Sequence, residues 1–273
     1  MNNSKILFAD SSYYLFNTSE ITAGFTTRYG GVSKEPFNFL NLGIHTGDDI
    51  NNVIQNRKIL SEKLNVNPEK IVFMNQTHST NIEYISPENI NRSDFGFYDI
   101  DSAFKNTDAV ITNYKNIMLC AMTADCCPVL IFDSYNNSIA AIHSGWKGTI
   151  GKITEKTIYK MKTIFPSLKI DALKIFIGPC ICGNCYEVDM KFIKIIESSY
   201  PEFKSYIVSK KSLFYFDIKK IIVDGIKNIG IPESNIFDSE ICSYELSDNF
   251  YSYRKNNKTG RIVSFIKLKG DVE

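Results

Sequence analysis

Four short apolar runs stand close together in the middle of this 273-residue chain, with only polar or turn residues between them. Runs of this kind, bounded by turn signals, are typical of β-strands. Because no helical segment separates them, they exclude a regular βαβ alternation and indicate a mixed sheet. The runs are DAVIT at 108–112, IMLCAM at 117–122, PVLIF at 128–132 and SIAAIH at 138–143.

Helices and further strands flank this region. Apolar periodicity and helix-start signals predict helices at 50–65, 149–163, 190–198 and 217–228. Shorter apolar runs predict strands at 21–32, where the strand runs into a glycine turn, and at 70–74, 173–177, 235–242 and 261–266. We therefore predict an α+β fold, a single layered domain over residues 1–273 with mixed β-sheets flanked by helices.

Composition narrows the class of protein. The net charge is +1, and no dense basic stripe indicates nucleic acid as a partner. The start of the chain lacks the features of a signal peptide, and no apolar run is long enough to span a membrane. We therefore expect a cytoplasmic protein that is a monomer or weak homodimer. The odd count of seven cysteines predicts thiols or metal ligands rather than a disulfide framework.

Histidine is scarce, with only three in the chain, so each can be weighed by its context. His78 follows a predicted strand, His143 ends another, and Cys126 lies in a turn between two apolar runs. Two imidazoles and one thiolate suit zinc, and three protein ligands leave the fourth position for water or substrate. The sequence separations between these three residues match no short local zinc motif. Structural histidines and a small apolar cysteine are therefore the alternative interpretation.

Four motifs occur in fixed order: NQTHS at 75–79, TDAV at 107–110, TADCCPV at 123–129 and IHSGWKG at 142–148. Flanking segments agree with them, including RYGGVS at 28–33, IGP at 177–179, CYEV at 185–188 and YSYR at 251–254. Together they resemble the YfiH-type family, named polyphenol oxidase or laccase-domain proteins. The resemblance extends from about residue 21 to 266 and implies a fold similar to that of the cytotoxic necrotizing factors.

The resemblance implies a zinc ion ligated by His78, Cys126 and His143. This chain has two adjacent cysteines where the family has one followed by an apolar residue. Alignment on Asp125 selects Cys126, and Cys127 would then point to the opposite side of an extended segment. Copper is the alternative metal, because Cu(II) outcompetes zinc for such ligands. However, three histidines are too few for the several coppers of a true laccase.

The same resemblance implies action on purine nucleosides with phosphate. The expected activities are phosphorolysis of adenosine, inosine, guanosine and methylthioadenosine, together with adenosine deamination. Cys126, Asp125 and Glu187 are the catalytic candidates. Asp125 would orient the metal site or act as a general base, and Glu187 would be an acid or base. Capping of a turn and a solvated carboxylate are the respective structural alternatives.

Three residues are candidates for substrate binding. Arg28, beside two glycines, would grip phosphate, Gln76 would hydrogen-bond a base or ribose edge, and Trp146 would pack on a base. A surface arginine at a hairpin turn, a turn amide and a core tryptophan are the alternatives. Arg254 and Arg261 are weaker phosphate candidates, and His45 is expected to line the site at most.

Other functions stay open from the sequence. A metal-free hydrolase or amidase would use Cys126 as nucleophile and His143 as base. An enzyme that edits peptidoglycan precursors and a non-catalytic scaffold are further alternatives. The tight group formed by Cys180, Cys182 and Cys185 suggests a structural zinc but lacks a clear fourth ligand, since Cys242 is distant in sequence.

Overall fold

The computed structural model describes residues 6–16 and 18–270. The single-domain prediction also covers residues 1–5, 17 and 271–273, which lie outside the described residues. Five helices are found in the described part of the chain: α1 (Ile50–Lys63), α2 (Trp146–Ile150), α3 (Ile153–Ile164), α4 (Met190–Ser199) and α5 (Ile218–Asn228). None of these five is long and apolar enough to cross a bilayer.

Fifteen strands accompany these helices in the described residues. In chain order they are β1 (Ile6–Asp10), β2 (Tyr13–Phe16), β3 (Ile21–Thr26), β4 (Ile71–Val72), β5 (Ile82–Tyr84), β6 (Ala109–Thr112), β7 (Met118–Thr123), β8 (Cys127–Asp133), β9 (Ser138–Ser144), β10 (Lys174–Ile177), β11 (Glu187–Val188), β12 (Ile207–Lys210), β13 (Leu213–Phe216), β14 (Ile236–Asp238) and β15 (Ile262–Leu268).

The strands form three sheets within the described ranges. The first has the order β1-β2-β3-β15-β7-β4, the second β14-β10-β8-β9-β6-β5, and the third β11-β13-β12. Most neighbours are antiparallel, but β4 runs parallel to β7, β5 to β6, and β10 to β14. The expected α+β fold with mixed sheets and flanking helices is therefore confirmed.

The two six-stranded sheets pack face to face, which explains the continuous apolar runs. In β8, Leu130 and Phe132 point into the core shared with β7, whereas Val129 and Ile131 point toward α3 and α5. Side chains alternate across a strand, so a strand covered on both faces must be apolar at every position. Helix α1 covers the outer face of the first sheet, where Leu60 joins a third apolar cluster.

Two local features differ from the sequence-based expectation. The single helix predicted at 149–163 forms as α2 and α3, because Lys152 between them adopts a left-handed conformation with φ of 58°. The hairpin of β12 and β13 was not anticipated. Its outer strand is largely exposed and therefore has no apolar run, and its turn residues Lys211 and Ser212 both have positive φ.

Strand pairing brings distant motifs together at one end of the second sheet. The antiparallel register of β8 and β9 pairs Cys127 with Ser144 and Pro128 with His143. Cys126, which directly precedes β8, is thereby placed beside the end of β9. On the other side, β9 pairs with β6 and β6 with β5, and the loop containing His78 leads into β5.

Candidate metal centre and cavity

A buried carboxylate organises the loop that carries His78. Asp108, directly before β6, is fully buried and accepts hydrogen bonds from the backbone N–H groups of Thr77, His78 and Ser79 at 3.2, 3.1 and 2.7 Å. The Ser79 hydroxyl donates to the same carboxylate at 2.7 Å. These bonds hold His78 in a left-handed backbone conformation, with φ of 60°, that only a well-supported loop maintains.

His143 is held by the same carboxylate. Its Nδ1 donates to Asp108 Oδ1 at 2.7 Å, which leaves Nε2 as the atom available to a ligand. Burial opposes ionisation of His143, but Cys126 and Asp108 outweigh it and raise its pKa to about 9. For Asp108, burial raises the pKa, but hydrogen bonds and charge from His143 and Ser79 lower it to about 2.

The three predicted metal ligands meet at this point. One donor atom each of His78, Cys126 and His143 lies within 4.8 Å of the others, and the two imidazole rings cross at 4.9 Å between centroids. Burial and the neighbouring His143 lower the pKa of His78 to about 4, so this ring is neutral at pH 7. The adjacent Cys127 is instead fully buried in the apolar core.

Gly145 leaves the space that this group of side chains occupies. A Cβ atom added there would lie 2.2 Å from His78 Nδ1 and 3.2 Å from Cys126 Sγ. No side chain is therefore tolerated beside the donor atoms. Two imidazoles and a thiolate are donors that zinc prefers, and three protein ligands are the number found in catalytic zinc sites. The residues present thus fit a zinc ion.

The Asp125 carboxylate anchors two chain segments next to Cys126. Its Oδ1 accepts from the Ser243 hydroxyl at 2.8 Å, and its Oδ2 accepts from the Ser252 hydroxyl at 3.0 Å and the Arg254 backbone N–H at 2.6 Å. Both oxygens are engaged within the protein. The contacts of Asp125 therefore indicate that it positions the cavity wall, including Arg254.

A cavity of about 530 Å³ opens directly over the three donor atoms. This volume lies within the range of small-molecule sites, about 300–1,000 Å³. The walls combine apolar and aromatic side chains with two guanidinium groups. Besides the three candidate ligands, the lining residues are His45, Gln76, Met122, Thr123, Ala124, Asp125, Trp146, Ile181, Tyr186, Ile218, Tyr253, Arg254, Asn257 and Arg261.

The substrate-binding candidates divide into residues inside and outside this cavity. Gln76 and Trp146 line it, although the Gln76 amide is also bound to the backbone of Met122 at 2.7 and 2.8 Å. Arg28 lies outside the lining, because its guanidinium donates to the carbonyl oxygens of Asn38 and Ser247. The structure therefore does not bring Arg28 into the cavity over the metal ligands.

Glu187 is also separated from the cavity. It lies exposed in β11, and its backbone carbonyl, rather than its carboxylate, accepts a hydrogen bond from Arg254 Nη1. The Arg254 guanidinium stacks over Tyr186 at 4.9 Å from the ring centroid. The two arginines that were the weaker phosphate candidates, Arg254 and Arg261, are the ones that line the cavity. His45 lines it as well, as expected.

Sequence reasoning missed several residues of this site. Asp108 was part of a quoted motif, but its partnership with His143 depends on the pairing of β6 and β9. Tyr186, Tyr253 and Asn257 were passed over because each lies in a loop without apolar periodicity. The sequence signal that pointed to them was their position within or beside the flanking motifs.

Known proteins are similar to this chain along nearly its whole length. The family model described as multi-copper polyphenol oxidoreductase laccase matches residues 22–269. Purine nucleoside phosphorylase YlmD of Bacillus subtilis (strain 168) is 31% identical over 256 residues, 93% of this chain and 90% of its own length. Purine nucleoside phosphorylase YfiH of Escherichia coli (strain K12) is 30% identical over 248 residues, 91% of this chain and 94% of its own.

Solved structures show the same fold. The crystal structure of the Bacillus licheniformis hypothetical protein YfiH superposes with a TM-score of 0.88 at 31% identity, over 97% of this chain and 99% of that one. YlmD from Geobacillus stearothermophilus superposes with a TM-score of 0.86 at 28% identity, over 95% and 97% of the respective chains.

Proposed function

This chain belongs to the YfiH-type family of laccase-like proteins, and on that premise we propose that it is a zinc-dependent purine nucleoside phosphorylase. Its substrates are inorganic phosphate and adenosine, inosine, guanosine or methylthioadenosine. Relatives that match about nine-tenths of this chain are named for the same reaction class. The observation that carries the proposal is one cavity that combines three zinc-binding side chains with two arginines.

We assign phosphate binding to Arg254 and Arg261 rather than to Arg28. Arg261 Nη1 donates to the carbonyl oxygens of Thr259 and Gly260 at 3.1 and 2.9 Å, which fixes its guanidinium at the cavity wall. An arginine has five N–H donors, so each guanidinium retains several for a phosphate oxygen. Two fixed cations in a partly buried cavity favour a dianionic substrate.

The apolar wall suits a flat nucleobase. Trp146 and Tyr186 supply aromatic surface, and Ile181 and Ile218 supply aliphatic surface. Burial raises the pKa of Tyr186 to about 12, so its hydroxyl remains a hydrogen-bond donor at neutral pH. A purine ring offers nitrogen acceptors to such a donor and a face for aromatic packing.

In phosphorolysis, a phosphate oxygen forms a bond to the ribose C1′ while the C1′–N9 bond breaks. The purine leaves with the electron pair of that bond and takes up a proton, and ribose 1-phosphate is the second product. Arg254 and Arg261 hold the phosphate in place, which lowers the entropic cost of the encounter. Zinc, when held by His78, Cys126 and His143, supplies a Lewis acid that stabilises developing negative charge.

We also propose adenosine deaminase activity for the same cavity. In this reaction a water oxygen replaces the exocyclic amine at C6, and ammonia leaves. The supporting observation is the three-residue donor set, because a zinc site of this type keeps one position for water or substrate. A cytoplasmic location accords with the free thiols, which a reducing compartment preserves.

Nucleoside turnover tests both activities. Purified protein is incubated with each of the four nucleosides in turn, with and without phosphate, and products are separated by chromatography. With adenosine, adenine and ribose 1-phosphate that form only with phosphate support phosphorolysis, and inosine with ammonia supports deamination. A Cys126→Ala variant should lose both activities while retaining its circular dichroism spectrum. Absence of product from all four nucleosides would overturn the proposal.

One geometric observation favours a second candidate function. Asp108, His143 and Cys126 form a carboxylate–imidazole–thiol series, the arrangement of an orienting group, a base and a nucleophile. A metal-free hydrolase or amidase would use this series directly. Metal analysis separates the two candidates: full activity in zinc-free protein supports the hydrolase, and loss of activity on chelation with recovery on adding zinc supports the metalloenzyme.

A laccase reaction is not supported by this site. Only three histidines occur in the chain, and two of them belong to the donor set that fits one metal ion. A multi-copper centre requires more imidazole ligands than that. Copper that replaces zinc at the same three residues would explain a weak oxidase activity, because Cu(II) binds such donors more tightly.

A further inference from the structure

A second group of metal-ligating side chains lies outside the described centre. It consists of Cys182, Cys185, Cys242 and Glu245, whose donor atoms all lie within 4.8 Å of one another. Cys185 Sγ is 3.4 Å and Cys182 Sγ is 4.0 Å from Glu245 Oε1. Cys242 is buried, Cys182 and Cys185 are half-buried, and Glu245 is exposed, so the group lies at the surface with one ligand in the interior.

Two tight turns bring these four residues together. The N–H groups of Cys185 and Tyr186 donate to the Cys182 carbonyl at 3.0 and 3.1 Å, which places Cys182 and Cys185 on one side of a turn. In the other segment, the Leu246 N–H donates to the Cys242 carbonyl at 3.0 Å, so Cys242 and Glu245 share one helical turn. These backbone bonds preset both halves of the group before any metal binds.

A backbone bridge joins the two segments. Cys180 and Cys242 pair in parallel, with the N–H of Ser243 donating to the Cys180 carbonyl at 3.1 Å. The N–H of Cys182 lies 3.4 Å from Cys242 Sγ, a contact that favours a sulfur carrying negative charge. Cys180 itself faces the core beside Cys127, so it is not a member of the group.

We propose that Cys182, Cys185, Cys242 and Glu245 form a structural zinc site. Three thiolates and one carboxylate complete a tetrahedral shell, which closes the ion to substrate. With Zn–S bonds of about 2.3 Å, tetrahedral geometry places the sulfurs about 3.8 Å apart. The observed separations of up to 4.8 Å need only side-chain adjustment to reach it. Each thiol that ligates releases its proton to solvent.

This site would support the wall of the cavity. Ile181 and Tyr186, which flank Cys182 and Cys185, line the cavity, and Ser243 next to Cys242 donates to Asp125. An ion that joins the 182–185 turn to the 242–245 turn therefore fixes both segments relative to Asp125. The proposal does not depend on which reaction the cavity performs.

Zinc content tests the proposal directly. Apo-protein is reconstituted with zinc alone under reducing conditions, freed of excess metal and measured by elemental mass spectrometry. Two ions per chain are expected, one for each of the two groups. The double variant Cys182→Ser/Cys185→Ser should bind one ion, and so should Cys126→Ala. The control Cys120→Ala removes a buried thiol that belongs to neither group and should keep two.

Cobalt spectroscopy gives a second measurement that needs no enzymatic activity. In the Cys126→Ala background, Co(II) should show tetrahedral bands and strong sulfur-to-metal charge transfer from three thiolates. Glu245→Gln should preserve the charge transfer and weaken affinity.

One ion in the wild type together with none in Cys126→Ala would overturn the proposal. A mass that shows a Cys182–Cys185 disulfide in freshly purified, unreduced protein would overturn it as well, since bridged sulfurs cannot ligate. Wild-type protein that binds two ions but turns over no nucleoside would contradict the proposed function. That result would still support the structural zinc site.

Discussion

Asp108 and His143 are joined by two hydrogen bonds: the Asp108 carboxylate accepts from the ring Nδ1 at 2.7 Å, and its backbone carbonyl accepts from the His143 N–H at 2.8 Å. The backbone bond sets the position of the residue, and the side-chain bond sets the tautomer and the direction of Nε2. The same carboxylate holds the loop of His78. One buried acid thus orients two of the three candidate metal ligands.

Replacement of this acid should weaken metal binding. We expect Asp108→Asn to lower zinc affinity about 10- to 100-fold, the usual effect of removing a partner that orients a metal ligand. Competition with a chromogenic chelator measures this affinity. Asp101→Asn, at an exposed aspartate in the same region, is the matched control and should leave affinity unchanged. Equal zinc affinity in Asp108→Asn and the wild type would contradict the orienting role.

Gly145 should be intolerant of any side chain. An added methyl group would lie 2.2 Å from His78 Nδ1, and the overpacking costs about 1–3 kcal/mol or displaces His78. We therefore expect Gly145→Ala to lose most of its bound zinc. Gly148→Ala is the control. Gly148 lies in α2, and a Cβ added there would come no closer than 3.4 Å to any neighbouring atom. Elemental analysis and circular dichroism of both variants test this, and unchanged zinc content in Gly145→Ala would refute it.

The two cavity arginines should control phosphate use. Removing a charged hydrogen-bond donor costs about 1.5–3 kcal/mol, so Arg254→Gln and Arg261→Gln should each raise the KM for phosphate about 10- to 100-fold. Arg28→Gln is the informative comparison. It removes an arginine that lies outside the cavity lining, where it contacts two backbone carbonyls and the ring of Tyr251, and it should change stability rather than this KM. A larger KM effect at Arg28 than at Arg254 and Arg261 would reverse our assignment.

Glu155 should make stability depend on pH. This residue of α3 packs against α5, where a Cβ added at Gly225 would lie 2.3 Å from its Oε1. Burial raises the pKa of Glu155, so folding favours its protonated form. The contribution of this protonated form to the free energy of unfolding is lost as pH rises through the folded pKa. Glu155→Gln should therefore raise the urea midpoint at pH 7.

The same substitution should have little effect where the native carboxyl is already protonated. At pH about 3.5, below the ordinary glutamate pKa of about 4.3, Glu155→Gln and the wild type should have the same unfolding midpoint. Glu62→Gln, at an exposed position of α1, serves as the control and should show no such pH-dependent gain. A lower midpoint for Glu155→Gln at pH 7 would contradict the prediction.

Most helices and strands could be predicted from sequence because burial imposes a regular apolar pattern on their residues. The runs at 117–122 and 128–132 are buried in β7 and β8, so every position must be apolar and the pattern is unmistakable. The hairpin of β12 and β13 escaped prediction because Val208 and Leu213 are exposed and the strands mix polar with apolar residues. Local patterns cannot show pairing that depends on a neighbouring strand.

The candidate site could likewise be predicted only in part. Ordered motifs were enough to nominate His78, Cys126 and His143, and the structure places their donor atoms together. The motif that contained Arg28 could not show that its guanidinium is used by backbone carbonyls. Likewise, Cys182 and Cys185 lacked a fourth partner in sequence until the fold brought Cys242 and Glu245 beside them.

The sequence by itself determined the class of fold and the chemical types of the site residues, because apolar periodicity and donor chemistry are properties of individual segments. The tertiary structure alone decided which side chains share a cavity and which carboxylate orients His143. It also places Cys126, the cysteine that the alignment selected, beside the two histidines, and Cys127 in the core. Those relationships arise from strand register and loop closure. They join residues that are far apart in the chain, and no local pattern encodes such distances.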